Sequence, residues 1–314
     1  MKLSVVMVTY NHERFIAQAL SSVLAQRTNF DFEVIVAEDC STDGTRAIVM
    51  DFVRRYPSKI LPLLRERNLG MMRNFKEALA ACRGSYVALL EGDDYWIRDD
   101  KLQSQIDFLD AHPDHAVCCA RVQFRDEINH SESSVWPSKP PGSYPLLNLL
   151  ETYCWIATCT VMYRWGSVGP LPDWILPLRV ADWPLHLLVA RSGKIHLMDE
   201  VMGVYRLHSG GIWSSRSRLD QLLAFRQMHM ALQKHLDPQY ANVIRRKIAR
   251  TGLDLAITAR SNGSRWQTVR YLLSYAWNGS YLPGQRRLLA GLATYVLIGS
   301  WYKIFSRAKQ ANPS

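Results

Sequence analysis

The sequence lacks the cysteine patterns that indicate a disulfide framework or a zinc site. Its six cysteines form no CxxC pair and no Cys/His spacing of the zinc-binding kind. A chain of 314 residues buries enough apolar surface to fold without disulfides or a structural metal. The composition, with 48% hydrophobic and 21% charged residues, also excludes a disordered or collagen-like protein. We therefore expect a globular protein with reduced thiols, as in the cytoplasm.

Two sequence features that can occur near an N-terminus, a signal peptide and a dinucleotide-binding turn, are absent as well. No signal peptide is apparent, because Lys2 is followed directly by LSVVMV, a run typical of a β-strand. The GxGxxG turn that dinucleotide-binding folds place after their first strand is also absent, and the sequence there reads TYNHE, from Thr9 to Glu13. This absence argues against an enzyme that uses NAD or FAD.

Acidic residues are scarce in the last third of the chain. Residues 201–314 hold 17 lysines and arginines against three acidic residues, a balance of +14, whereas residues 1–200 balance to −4. Within this basic part, Leu288–Tyr302 is a run of 15 uncharged residues, shorter than the ~20 that a spanning helix needs. We expect residues 286–309 to associate with an anionic membrane surface; a buried helix or a dimer contact is the alternative. No nucleic-acid-binding module is recognisable, so nucleic acid is not an expected partner.

Short apolar runs alternate with amphipathic segments over the first 125 residues. The predicted strands are Leu3–Val8, Phe32–Glu38, Ile60–Leu64, Tyr86–Leu90 and Ala116–Phe124, and the predicted helices are Glu13–Gln26, Asp43–Arg55, Met72–Cys82 and Lys101–Ala111. This alternation predicts a largely parallel α/β sheet whose ligand lies at the carboxyl ends of the strands.

The pattern changes after residue 125. Residues 125–150 are polar and rich in serine and proline, which predicts a long loop. A helix is expected at Trp183–Ala190 and two short strands at Ile195–Met198 and Val201–Tyr205, and from about Leu219 onward the pattern is helical.

Acidic residues follow two of the predicted strands. Glu38-Asp39 end the second strand, and Glu91-Gly92-Asp93-Asp94 follow the fourth. Carboxylates at the end of a buried strand repel one another, so their placement calls for a compensating cation. Oxygen ligands favour Mg²⁺ or Mn²⁺, which commonly bridge protein carboxylates to a diphosphate. The alternative is a pair of polar turns that begin the following helices.

Four segments carry a resemblance to a known family. They read SVVMVTYNHERFIAQALSSVLAQ, FEVIVAEDCSTDGT, NLGMMRNFKEALAACRGSYVALLEGDD and ADWPLHLLVARSGKI. In this order and spacing, over roughly residues 1–210, the sequence resembles the family 2 glycosyltransferases, inverting enzymes of the GT-A fold. The resemblance implies a Rossmann-like α/β architecture, with a mixed, mostly parallel sheet flanked by helices and a helical C-terminal extension. It places a catalytic domain at 1–217 (donor half about 1–125, acceptor half about 126–217) and a basic helical region at 218–314.

The resemblance also implies roles for particular residues. The expected contacts to the donor nucleotide are Thr9, Tyr10, Asn11, Glu13, Asp39, Asn68, Arg73 and Asp93. The expected ligands of a divalent Mn²⁺ or Mg²⁺ ion are Asp94, Asp93 and His208. Arg206 and His208 would contact the diphosphate beneath a closing loop. Asp182 would be the general base, although Ala181 stands where the family more often has an acidic residue; the alternative role of Asp182 is a helix cap.

The expected activity is therefore that of an inverting hexosyltransferase of cell-envelope polysaccharide synthesis. It would transfer a sugar from a nucleotide-diphosphate donor, with a UDP-sugar expected, to a hydroxyl of a glycan or a lipid-linked acceptor. The expected location is the cytoplasm, peripheral at the inner face of the membrane. One alternative is a sugar-nucleotide nucleotidyltransferase, which should show a Gly/Arg/Lys-rich loop where this chain has TYNHERF. Another is a non-catalytic relative that only binds nucleotide.

Overall fold

The computed structural model describes residues 1–166, 169–180, 182–211, 213 and 215–279. The strands are β1 Leu3–Thr9, β2 Phe32–Glu38, β3 Ile60–Leu64, β4 Tyr86–Leu89, β5 Tyr95–Trp96, β6 His115–Asp126, β7 Ser131–Trp136, β8 Gly142–Tyr144, β9 Met162–Arg164 and β10 Lys194–Leu207. The helices are α1 Ile16–Leu24, α2 Thr45–Arg55, α3 Met71–Ala80, α4 Lys101–Ala111, α5 Leu146–Glu151, α6 Asp182–Ala190, α7 Arg218–His235, α8 Ala241–Ser261 and α9 Arg265–Gly279.

Strands β3, β2, β1 and β4 are neighbours in that order and run parallel. Every residue of β2 is buried, and β1 is buried except at Val8. Short strands that are buried on both faces are typical of a parallel sheet covered by helices. The α/β sheet predicted from the sequence is confirmed. Its parallel part brings the carboxyl ends of β1, β2 and β4 to one edge.

The sheet continues through β9, β6, β10 and β5. Strands β6 and β10 form a long parallel pair, whereas β9 and β5 are antiparallel to their neighbours. The sheet is therefore mixed. Because β5 follows the acidic turn after β4 and pairs with β10, this pairing brings the end of β10 toward that turn.

Two expectations for the middle of the chain are wrong. Residues 125–150 are not a long loop: β7 pairs with β6, β8 pairs with β10, and α5 follows. The polar composition of residues 125–150 gives no sign of these strands, because backbone pairing with the sheet, and not an apolar face, holds them in place. The two short strands expected within 195–205 are one strand, β10, whose register shifts between Leu197 and Val201. Polar Asp199 and Glu200 interrupt the apolar pattern at this bulge.

The chain divides into two compact units, Met1–Ser215 and Arg216–Ser314. In the described part of the second unit, α7, α8 and α9 bury apolar side chains such as Met228, Ile248 and Leu255. None of the described helices is long and apolar enough to cross a membrane. The segment Leu288–Tyr302, for which a membrane-surface helix is predicted, lies outside the described residues. The separate roles of domains 1–217 and 218–314 stay a prediction.

Helix α6 contains a fully buried histidine, His186, whose pKa is lowered by burial from 6.5 to about 3. Between these values the unfolded chain binds a proton that the folded chain does not, so stability is complete above pH 6.5 and falls as the pH drops. We expect this group to lower the free energy of unfolding by about 1.4 kcal/mol per pH unit in that interval. Urea unfolding at pH 7 and pH 5 measures this loss. The His186→Gln variant should show a smaller pH dependence, and an equal dependence would contradict the assignment.

Candidate active site

The acidic turn after β4 packs against the end of β1. The Gly92 amide donates to the Val8 carbonyl over 2.9 Å. A Cβ atom at Gly92 would lie 2.7 Å from Thr9 Oγ1 and 3.0 Å from His12 Nδ1, closer than real Cβ contacts. Only glycine permits this approach. The fold thus places the EGDD turn directly beside the TYNHE loop at the carboxyl edge of the sheet, where α/β folds bind their ligands.

Asp93 lies between two imidazole rings. Its Oδ2 atom is 3.1 Å from His208 Nε2 and 3.6 Å from His12 Nε2. Burial alone would raise the pKa of Asp93, but the hydrogen bond from His208 and the charges of His12 and His208 outweigh it, and the pKa is lowered. Asp93 is therefore an anionic carboxylate with ring nitrogens beside it.

Asp94 faces a different partner. It is 2% exposed, and its Oδ1 accepts the backbone N–H of Arg206 over 2.8 Å. Burial raises the pKa of Asp94 well above its usual range, and the charges of Asp93 and Glu91 act in the same direction. Asp93, Asp94 and His208 do not form a set of three ligand atoms within 4.8 Å of one another in the described part of the chain. The set of three metal ligands stays a prediction. Within this set, Asp93 and His208 are in contact.

Glu91 contains an oxygen that lacks a protein partner. Its Oε2 atom is buried and accepts no hydrogen bond from the described residues. Burial, together with the charge of Asp93, raises the pKa of Glu91 to about 8. A buried oxygen without a partner is costly, and a bound cation would relieve both this cost and the repulsion between the carboxylates. The chemistry of the donors, carboxylate oxygens and one imidazole, therefore fits Mg²⁺ or Mn²⁺.

Arg206 is anchored from several sides. Its Nε donates to Glu127 Oε1 over 2.9 Å, and its other guanidinium nitrogens donate to the Asp93 carbonyl and the Gln18 side chain. The guanidinium carbon lies 4.4 Å from the centre of the Tyr95 ring. These contacts fix a positive charge beside the acidic turn. Its predicted contact with a diphosphate stays a prediction.

Asp182 begins α6, and its Oδ1 accepts the Trp183 N–H over 2.8 Å. Burial raises the pKa of Asp182. The Asp182 charge also contributes to the raised pKa of Glu91, so the two carboxyl groups lie within electrostatic range. The fold thus brings the predicted base, 91 positions beyond Glu91 in the sequence, within electrostatic range of the acidic turn.

Asp39 holds the Asn68–Gly70 segment in place. Its Oδ1 accepts the Leu69 N–H over 2.7 Å and its Oδ2 accepts the Gly70 N–H over 3.0 Å. Asn68 Oδ1 also accepts the Gly70 N–H, over 2.9 Å. This positioning role was not predicted from the sequence. The predicted contacts of Asp39 and Asn68 with the nucleotide stay predictions.

The remaining predicted nucleotide contacts fall into two groups. Asn11 and Glu13 tie the loop after β1 to the loop after β2, because their side chains accept the Thr42 and Gly44 N–H groups over 2.8 and 3.0 Å. Thr9 is buried, and its hydroxyl lies 3.3 Å from His12 Nδ1. The second group is exposed: Tyr10 at the edge of the site, and Arg73, which pairs with Glu77 over 3.1 Å.

Sequence reasoning did not assign a role to His12 or Glu127. The position of His12 beside Thr9 and ahead of a predicted helix was a usable signal, since this loop follows a buried strand. Glu127 offered no such signal. It lies in a polar stretch 79 positions from Arg206, and only the β6–β10 pairing brings the two together.

The fold and the site together define the class of protein: a mixed α/β sheet domain with an acidic cluster at the carboxyl edge of the sheet. The sequence model described as Glycosyl transferase family 2 matches residues 4–170. The chain belongs to this family. It is 41% identical over 219 residues to the uncharacterized protein Rv1520 of Mycobacterium tuberculosis, a match that covers 68% of this chain and 61% of that protein. It is 25% identical to the uncharacterized glycosyltransferase alr2836 of a Nostoc species, over 94% of this chain and 90% of that protein.

Solved structures share the fold. The structure of Staphylococcus aureus TarS residues 1–349 in complex with UDP-GlcNAc superposes with a TM-score of 0.67 at 20% identity, over 96% of this chain and 92% of that one. The mannosyltransferase PcManGT of Pyrobaculum calidifontis, in complex with GDP-Man and Mn²⁺, gives a TM-score of 0.57 at 16% identity, over 94% of this chain and 80% of that one. The predicted GT-A fold is confirmed.

Proposed function

We propose that the chain transfers a sugar, with inversion, from a UDP-sugar to a hydroxyl of a glycan or a lipid-linked acceptor. The observation that carries the proposal is the acidic cluster of the EGDD turn at the carboxyl edge of the sheet, with the Asp182 carboxyl within electrostatic range of Glu91. Family membership supports glycosyl transfer, and the UDP-GlcNAc complex of TarS supports a uridine donor.

Asp182 would act on the acceptor. In an inverting transfer the acceptor hydroxyl attacks the anomeric carbon as the bond to the diphosphate breaks, and a carboxylate takes the hydroxyl proton. The carboxyl of Asp182 is suited to this step because burial raises its pKa toward the pH at which proton transfer is useful. Hydrogen bonds from the Trp183 N–H and the Thr158 side chain hold the carboxyl at the start of α6.

The leaving diphosphate would lie beside the EGDD turn. A divalent cation held by Asp93, with Glu91 and His208 near it, would neutralise the charge that develops on the diphosphate. The Arg206 guanidinium adds a fixed positive charge at the same place, and its bonds to Glu127 and the Asp93 carbonyl keep it oriented. Charges that are already in position lose no free energy to reorganisation during the reaction.

A panel of nucleotide sugars tests this function. UDP-sugars should raise the melting temperature of the chain in the presence of Mn²⁺ and should release UDP, whereas GDP- and ADP-sugars should do neither. Release of UDP from one sugar identifies the donor class without knowledge of the acceptor. Protection by UDP without any turnover would favour a binding-only relative, and formation of a nucleotide sugar from a sugar phosphate would favour a nucleotidyltransferase.

Asp39→Ala is expected to weaken UDP binding. The variant removes the predicted acceptor for the uracil N–H and also frees the Leu69 and Gly70 amides that Asp39 now holds. Loss of a buried hydrogen-bonding partner costs about 1–3 kcal/mol, which is roughly a 5–150-fold rise in the UDP dissociation constant. Calorimetric titration with UDP measures the change. The matched control is Glu66→Ala, an exposed carboxylate near the same edge, and equal UDP affinity in both variants would remove Asp39 from the donor site.

A further inference from the structure

The predicted base, Asp182, forms a group with two neighbouring side chains that the transfer reaction does not use. Cys154, Asp182 and His186 each offer one ligand atom, and these three atoms all lie within 4.8 Å of one another. In the described part of the chain, no other group of three His, Cys, Asp or Glu residues meets this distance limit. The group combines a thiol, a carboxyl and an imidazole, which is a donor set of the zinc-binding kind.

The imidazole of His186 supplies a second, independent observation. The ring is fully buried, its Nδ1 lies 2.6 Å from the Tyr163 hydroxyl, and its Nε2 has no hydrogen-bond partner among the described residues. When Nδ1–H donates to the Tyr163 oxygen, the Nε2 lone pair is free. Histidines that bind metal ions have this arrangement, in which the second nitrogen donates to a fixed partner and sets the tautomer. In this tautomer His186 offers an unused lone pair, and its ring lies beside a thiol and a carboxyl.

The geometry and the charge of the three side chains both suit a zinc-type metal ion. Metal–ligand bonds of about 2.0–2.3 Å in a tetrahedral site hold the ligand atoms about 3.3–3.8 Å apart, so closing the group takes side-chain movements on the order of 1 Å. The Asp182 carboxylate and a Cys154 thiolate together balance two positive charges. Cys154 and Asp182 are half-buried and give an ion a path of entry, while His186 closes the inner side.

We infer that Cys154, Asp182 and His186 form a binding site for a zinc-type transition-metal ion, distinct from the EGDD cluster, and that the bound ion inhibits sugar transfer. On binding, the Cys154 S–H bond breaks, its proton goes to solvent, and the sulfur binds the ion. The ion also binds the Asp182 carboxylate, which then has no oxygen lone pair available to take up the proton of the acceptor hydroxyl. The inhibition, unlike the binding, rests on the proposed role of Asp182.

Cobalt(II) provides a probe of binding that does not depend on activity. Titration of the reduced, full-length chain with Co²⁺ should produce a thiolate-to-cobalt charge-transfer band in the near ultraviolet at one ion per chain. Cys154→Ser should abolish the band. The matched control is Cys82→Ser, which changes another half-buried thiol, located at the end of α3, and should retain the band. Absence of the band from the unaltered chain, or its survival in Cys154→Ser, would overturn the site.

Tyr163→Phe tests the arrangement around His186. Removal of the hydroxyl leaves the ring nitrogen without its partner, and the loss of such a partner lowers metal affinity by about 10–100-fold. The affinity for Zn²⁺ is measured by its displacement of Co²⁺. Circular dichroism establishes that each variant is folded; if Cys154→Ser is not, Cys154→Ala takes its place. An unchanged Zn²⁺ affinity in folded Tyr163→Phe and His186→Gln would overturn the assignment of His186.

The activity measurement separates the two parts of the inference. UDP release is measured with excess Mn²⁺, with and without Zn²⁺, and each variant is compared with its own zinc-free rate. Zn²⁺ should inhibit the unaltered chain and Cys82→Ser at concentrations at least tenfold lower than those that inhibit Cys154→Ser. A cobalt band that depends on Cys154, without any such difference in inhibition, would support the site and overturn Asp182 as the base.

Discussion

Asp182→Asn is expected to lower the rate of sugar transfer by about 10²–10⁴-fold, the range that a positioned general base contributes. The amide keeps the size of the side chain and an oxygen that accepts the Trp183 N–H, but it does not take up the acceptor proton. The affinity for UDP should stay close to that of the unaltered chain, because the predicted donor contacts lie at the carboxyl ends of β1 to β4 and at the start of α3, and do not include Asp182. Steady-state UDP release with and without acceptor measures the loss, and thermal protection by UDP measures binding.

The matched control for this variant is Asp51→Asn. Asp51 lies on α2, is half exposed, and pairs with Arg54 over 3.1 Å. Surface ion pairs contribute about 0–1 kcal/mol, so this variant should differ little from the unaltered chain in both stability and rate. A rate in Asp182→Asn that is equal to the rate in Asp51→Asn would place the base elsewhere.

The parallel part of the sheet could be predicted from the sequence because its central strands are buried on both faces. All residues of β2 are buried, so the apolar run and the strand coincide at Phe32–Glu38. The predicted bounds of β3 at Ile60–Leu64 and of α4 at Lys101–Ala111 also coincide with the observed ones, although both elements expose part of their residues. In a fully buried segment such as β2, burial decides the element, and burial is what an apolar pattern records.

The antiparallel part of the sheet could not be predicted from the sequence, because backbone pairing and not an apolar pattern determines it. Strand β7 has the sequence SESSVW and is held by backbone pairing with β6. Its residues give no apolar alternation from which a strand could be predicted. The bulge that joins the two predicted pieces of β10 likewise depends on its register with β6. Pairing between segments distant in sequence is not visible in either segment by itself.

The site shows the same division between local and long-range information. The EGDD turn was predicted because it follows a buried strand, and Asp182 was predicted from the resemblance to the family. The residues that contact Asp93, Arg206 and His186 were not predicted, because they meet these partners only in the folded chain. They are His12, Glu127 and Tyr163, respectively. The residue types of the acidic cluster could thus be predicted, whereas its hydrogen-bond network depends on contacts between segments distant in sequence.

Asp93→Asn is the other variant with a large expected effect. The amide removes the negative charge that faces His208 and His12, and with it the proposed oxygen ligand of a divalent cation. The loss of one such preorganised electrostatic contact lowers turnover on the order of 10²–10³-fold. The residual activity should require a higher Mn²⁺ concentration than the activity of the unaltered chain. UDP release measured across a Mn²⁺ series gives both values.

Asp99→Asn is the control for the loss of a negative charge close to the same turn. Asp99 pairs with Arg27 over 2.8 Å at the surface, and both side chains are largely exposed. Because solvent screens this pair, its removal should leave the Mn²⁺ dependence unchanged. The fold should persist in both variants, since Asp93 contacts the imidazoles and not the apolar core, and circular dichroism verifies this. Full activity of the unaltered chain in EDTA, or a Mn²⁺ dependence of Asp93→Asn equal to that of Asp99→Asn, would show that the EGDD turn does not hold a cation that transfer requires.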